Sequence, residues 1–145
     1  MATRSLTTFF QAPPLESSDV VAFRVERHLG RVVTAEVEVR HGEHIDPEAL
    51  LGLPAYLAFG RGEPEHALHG VIVDVEVTAT SDDEAEQMPL YKVTMASWMA
   101  LLAYEVDCRI FQDKDVKAIV TEVLRAAGIE EHRQAWRLTA SYPKR

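Results

Sequence analysis

Strict alternation over residues 33–40 constrains this chain most. Val33, Ala35, Val37 and Val39 fall on one side, and Thr34, Glu36, Glu38 and Arg40 on the other. Successive side chains of a strand point to opposite faces, so a β-branched run of period two reads as a half-buried strand. Just upstream, Val21, Phe23 and Val25 alternate with Ala22, Arg24 and Glu26, and Leu29-Gly30-Arg31 supplies a turn between the runs. A hairpin is expected there. A longer alternation begins at His69, placing Val71, Val73, Val75 and Val77 inward and Asp74, Glu76 and Thr78 outward, and Tyr91, Val93 and Met95 are expected to pair with it. Thr80 to Met88 carries Asp82, Asp83, Glu84 and Glu86 without apolar periodicity, the pattern of a solvated hairpin loop.

Shorter signals fill the gaps. Asp46-Pro47-Glu48-Ala49-Leu50-Leu51-Gly52 offers an N-cap, a proline at the first helical position and a glycine stop, enough for one helical turn. Pro54 to Phe59 reads as a short strand closed by Gly60-Arg61-Gly62. Trp98, Leu101 and Leu102 are assigned to the core, ahead of a strand at Arg109-Ile110-Phe111. The period then changes: Val116, Ile119, Val120, Val123, Leu124 and Ala127 lie at helical spacing, capped by Asp115 or Asp113 and stopped by Gly128, with Ile129 packing back on Leu124. Trp136, Leu138 and Ala140 mark one last strand. A helix and a lone strand cannot form a core, so residues from about Asp113 onward either pack on the β unit or begin a second domain that this chain leaves truncated.

Charge and motif narrow the function. At 145 residues the chain is one domain-sized unit, and 15 Lys and Arg against 23 Asp and Glu give a net charge of −8, the wrong sign for a phosphate backbone. Nucleic acid is excluded as a partner on that ground. No apolar run approaches the roughly 20 residues of a spanning helix, and Met1 to Phe10 has one basic residue, Arg4, and no signal-peptide pattern, so a soluble protein without a secretory signal is expected. The single cysteine, Cys108, reads as a buried structural thiol, and its neighbours Glu105 and Asp107 argue against a nucleophilic role. His41/His44 and His66/His69 have neither the spacing nor the helical context of a zinc protease; both pairs are placed in loops, as exposed or turn histidines. Nucleophile elbows, phosphate loops, dinucleotide fingerprints and Cys-x-x-Cys are all missing, so no catalytic residue, metal, cofactor or small-molecule substrate is expected.

The order of motifs carries more. Leu50-Leu51-Gly52, then His69-Gly70 leading into the long strand, Tyr91-Lys-Val-Thr-Met, Trp98-Met-Ala-Leu-Leu102, Arg109-Ile-Phe111-Gln112, the helix from Asp115, and Tyr142-Pro143 follow one another. This series resembles the N-terminal region of the valine-glycine repeat spike family (VgrG) of type VI secretion systems, which is similar to phage baseplate hub and late control proteins. Leu51, Gly52, His69, Gly70, Arg109, Phe111, Gln112, Tyr142 and Pro143 serve as family markers, not as a site. One departure is the turn Arg27-His28-Leu29-Gly30, where the family usually has a Glu followed shortly by Ser.

The resemblance implies a mainly β fold with one or two helices. An antiparallel β-barrel-like hub domain, residues 1–112, would be followed by the helix and strand of residues 113–145 that begin a second α+β hub domain. The implied role is structural and non-enzymatic, at the tip of a contractile injection machine. The implied partners are two further copies in a homotrimer of the full-length protein, a ring-forming tube protein, baseplate components, and effectors or adaptors. The membrane would be met only by puncture through a needle, and assembly in the bacterial cytoplasm would precede secretion by the type VI machine into the medium or a target cell. The alternative is a stand-alone small β-barrel binding a flavin or lipid, since such barrels are also short, acidic and rich in alternating strands.

Overall fold

The computed structural model describes residues 6–79 and 88–144. Six strands form one antiparallel sheet: β1 (Leu6–Gln11), β2 (Asp19–Glu26), β3 (Thr34–Arg40), β4 (Pro54–Arg61), β5 (His66–Ala79) and β6 (Leu90–Ala96). Their spatial order, β1-β4-β5-β6-β3-β2, curls into a nearly closed barrel. One-turn helix α1 (Pro47–Leu50) lies between β3 and β4, capped as expected by Asp46, whose carboxylate accepts the Glu48 N–H at 3.0 Å.

Register follows the apolar pattern. Phe10 pairs with Leu57 and Leu57 with Leu68. Farther round the barrel Val75, Val93, Val37 and Phe23 form one row, and Ile72, Met95, Ala35 and Val25 another. These rows are the interior, completed by Leu15 and Leu50, both fully buried. Tyr91, also fully buried, accepts the Ile45 N–H at 2.7 Å and donates to the Ile45 carbonyl at 3.2 Å, tying the segment before α1 to the barrel wall. Side chains fill the interior of this barrel, so the packing lends nothing to the flavin- or lipid-binding alternative.

Register shifts in β2 and β5 correct the simple alternation. The β2–β3 register shifts between Val20 and Ala22, so Val20, Phe23 and Val25 turn toward the core while Val21 is half exposed. The β5–β6 register shifts between Ile72 and Asp74 and again between Val77 and Ala79; Leu68, Ile72 and Val75 face the interior cluster, Val71 is buried outside it, Val73 is half-buried and Val77 is exposed. An inserted residue reverses the phase of every side chain beyond it, which a period-two reading carries through unchanged. The acidic loop expected over Thr80 to Met88 lies, apart from Met88, outside the described residues.

Chain contacts divide the protein into two units, Met1–Ser97 and Trp98–Arg145. The second unit holds a 3-10 helix (Trp98–Tyr104), helix α2 (Val116–Ala126) and a 3-10 turn (Glu131–Arg133). Asp115 is the α2 cap, accepting the Ala118 N–H at 2.8 Å, and the chain leaves the helix through Gly128, with the Ile129 N–H reaching the Leu124 carbonyl at 2.8 Å. Several expectations fail here. Trp98–Tyr104 contributes no fully buried residue, because a 3-10 helix spreads its side chains over three rows and cannot present them all to one core. Arg109–Phe111 and the Trp136–Ala140 run form no strand, since an extended segment becomes one only against a ladder partner. Cys108 is exposed, not buried.

Candidate functional site

The family markers fall into two groups. In the first unit, Leu51 ends α1 and stays about half exposed, while Gly52 takes φ 77°, a left-handed conformation that glycine alone adopts without strain. Its N–H donates to the Ile72 carbonyl at 2.9 Å and Ile72 donates to Leu53 at 2.9 Å, so this turn is stitched onto β5. Gly70 pairs with Ala55 on β4, and a Cβ at this position would overlap the Ala96 carbonyl of β6, so the close approach of β5 and β6 requires glycine. His69 pairs with Tyr56, their rings 4.5 Å apart. Leu51, Gly52, His69 and Gly70 thus gather where α1 and the start of β4 meet β5.

In the second unit the markers are dispersed. Arg109 is ion-paired with Asp107. The Arg109 guanidinium and the Cys108 N–H hold the Asp107 carboxyl below the usual range, and the Asp107 carboxylate holds the Arg109 guanidinium above its own. Phe111 lies under the Lys114 ammonium at 5.7 Å, whereas Gln112, Tyr142 and Pro143 are exposed and outside any helix or strand. Nearby, Arg133 stacks over Trp98 at 4.6 Å, and the Gln134 amide donates to the Ile129 carbonyl at 2.8 Å. Among the described residues no hydrogen bond, ion pair or ring contact joins one marker to another.

The histidines differ from expectation in place and role. His66 and His69 lie on β5, not in a loop; odd spacing sends them to opposite faces, His66 against Phe59 at 5.3 Å and His69 against Tyr56. His41 is buried, its Nδ1 2.9 Å from the Ser18 hydroxyl, while His44 is exposed. Among the described residues no group of three or more His, Cys, Asp or Glu side chains converges as metal ligands would.

The sheet's outer face has an acidic bias. Cross-strand rows run Asp74, Thr94, Glu36, Arg24 and Glu76, Lys92, Glu38, Ala22. Lys92 reaches Glu36 at 3.6 Å and Arg24 reaches Glu26 at 2.7 Å, leaving more carboxylates than cations on a solvated wall. Such pairs add little stability but set which partners the surface attracts. The barrel interior is filled and its outer wall is charged.

Comparison with known proteins gives a consistent picture. The phage tail baseplate hub (GPD) family matches residues 26–145. The type VI secretion system spike protein VgrG1c of Pseudomonas aeruginosa is 34% identical over 116 residues, covering 79% of this chain and 15% of that protein. VgrG1b of the same organism is 35% identical over 118 residues, with the same 79% and 15% coverage. Among solved structures, the E. coli c3393 protein is described as a component of the type VI secretion system with structural similarity to T4 bacteriophage tail proteins gp27 and gp5. It superposes with a TM-score of 0.75 at 25% identity, over 94% of this chain and 37% of that one. The 43 kDa tail protein of prophage MuSo2 from Shewanella oneidensis, 17% identical, shares the fold with a TM-score of 0.59 over 86% and 38% of the two chains. The chain therefore spans about 15% of the length of the spike proteins it matches.

Proposed function

This chain belongs to the phage tail baseplate hub (GPD) family, and from that membership we propose that it acts as the N-terminal hub part of the tip spike of a type VI secretion machine. The observation that carries the reading is the family match over residues 26–145, which runs from the end of β2 through both compact units. A hub works by holding shape and presenting surfaces. The tightly filled barrel, the stitched α1–β5 turn and the close β5–β6 approach at Gly70 suit that task.

In this reading the role is non-enzymatic. The full-length protein forms a homotrimer, seats on a ring-forming tube protein, joins baseplate components and helps carry effectors or adaptors. It assembles in the bacterial cytoplasm and is then delivered by the machine; among the described residues no helix is long and apolar enough to cross a membrane. Residues 1–112 act as the barrel hub domain, and residues 113–145, with α2, as the beginning of a second hub domain. The direct test is to purify the full-length protein with the tube protein of the same system and image the mixture by electron microscopy. Hub density capping the end of tube rings is expected. Bare rings in a large excess of folded hub protein would contradict the proposal.

A further inference from the structure

Among the described residues the barrel is not closed by hydrogen bonds. Ladders join β1 to β4 at one end of the sheet order and β2 to β3 at the other, and among the described residues none joins β1 to β2. Two strand edges therefore face one another across a seam. Natural edge strands are guarded by charge, proline or a bulge. β2 is so guarded, by Asp19, Arg24, Glu26 and the bulge at Val21. β1, Leu-Thr-Thr-Phe-Phe-Gln, carries no charge, and its Leu6 and Phe9 are exposed. A groove of about 670 Å³ lies along this edge. Leu6, Phe10 and Val20 line it from the barrel side, and the exposed carboxylates Glu16 and Asp19 lie at its rim, with no cation in its lining.

We propose that this seam takes an extended segment of a partner protein by strand addition, a segment that alternates apolar and basic residues. Main-chain groups would pair with the free edge of β1, apolar side chains would turn toward Leu6, Phe10 and Val20, and basic ones outward to Glu16 and Asp19. A second copy of this chain is the wrong occupant. Its β3 and β5 are paired on both sides, and its free edges have the wrong chemistry: β1 carries no basic residue, and Asp19 and Glu26 of β2 would meet Glu16 and Asp19 as like charges. This inference goes beyond the hub role and stands or falls separately from it.

The test uses the whole chain and a fluorescein-labelled peptide of alternating valine and lysine, read by anisotropy. N-methylation of alternate peptide amides in one register is expected to weaken binding at least about tenfold, and in the other register less than about twofold, because an added strand uses every second N–H. Glu16→Lys with Asp19→Lys is expected to weaken it by about tenfold, and Glu36→Lys with Glu38→Lys by less than about twofold. Both pairs are exposed or half-exposed, so the fold survives, as circular dichroism would verify. Insensitivity to methylation in both registers, or equal loss from both charge reversals, would reduce the effect to net charge and overturn the proposal. So would sedimentation showing that the free chain already pairs through β1 with its own copy.

Discussion

Gly70 shows how much one residue governs. Its missing Cβ is what lets the Ala96 carbonyl of β6 approach β5, so Gly70→Ala must push two paired strands apart. A loss of about 3 kcal/mol is expected, read as a lower midpoint in chemical denaturation with an unchanged slope. His69→Ala beside it, on an exposed ring, should cost less than about 1 kcal/mol. The markers Leu51, Gly52, His69 and Gly70 were visible in the sequence as a pattern. Their physical reasons were not, because each depends on a partner far along the chain: Ile72 for Gly52, Tyr56 for His69, Ala96 for Gly70. The burial of His41 against Ser18 was hidden for the same reason.

At the scale of elements, period was legible throughout, and phase was legible in β3 and β6 but not in β2 and β5, where the register shifts. β3 and β6 form where alternation placed them, β4 where a short apolar run did, and α2 takes Asp115, one of the two caps its sequence offered. The bulges at Val21 and Val73 left no local signal, since a β-branched residue suits either face. Val21→Asp should therefore leave stability within about 0.5 kcal/mol, while Phe23→Ala, which removes a ring 4.9 Å from Phe59, should cost about 3 kcal/mol. β1 was overlooked, although Thr7-Thr8-Phe9-Phe10 is rich in strand formers and stops before Pro13-Pro14. Beyond Ser97 the Arg109–Phe111 run and the alternation at Trp136, Leu138 and Ala140 promised strands, and without ladder partners both segments are irregular. For α2, Asp115→Ala should cost about 1 kcal/mol of helix stability, seen as roughly fivefold faster amide exchange at its first turns.

For the whole molecule, the mainly β class and the hub family were legible because motif order survives where individual registers do not. The chain matches that family over residues 26–145 and matches a type VI component's structure over 94% of its length. Charge adds a second constraint. With a net charge of −8 and an acidic outer wall, association of copies must rest on specific faces, not on general attraction, and added salt should strengthen self-association by screening like charges. The proposed function makes the full-length protein one of three copies in a hub, with this chain as its N-terminal part. The measurement that bears on it most directly is the absolute mass of the full-length protein, by light scattering across a concentration series, beside the same measurement on this chain. A full-length mass of three protomers that holds on dilution is predicted; a full-length monomer at every concentration would contradict it.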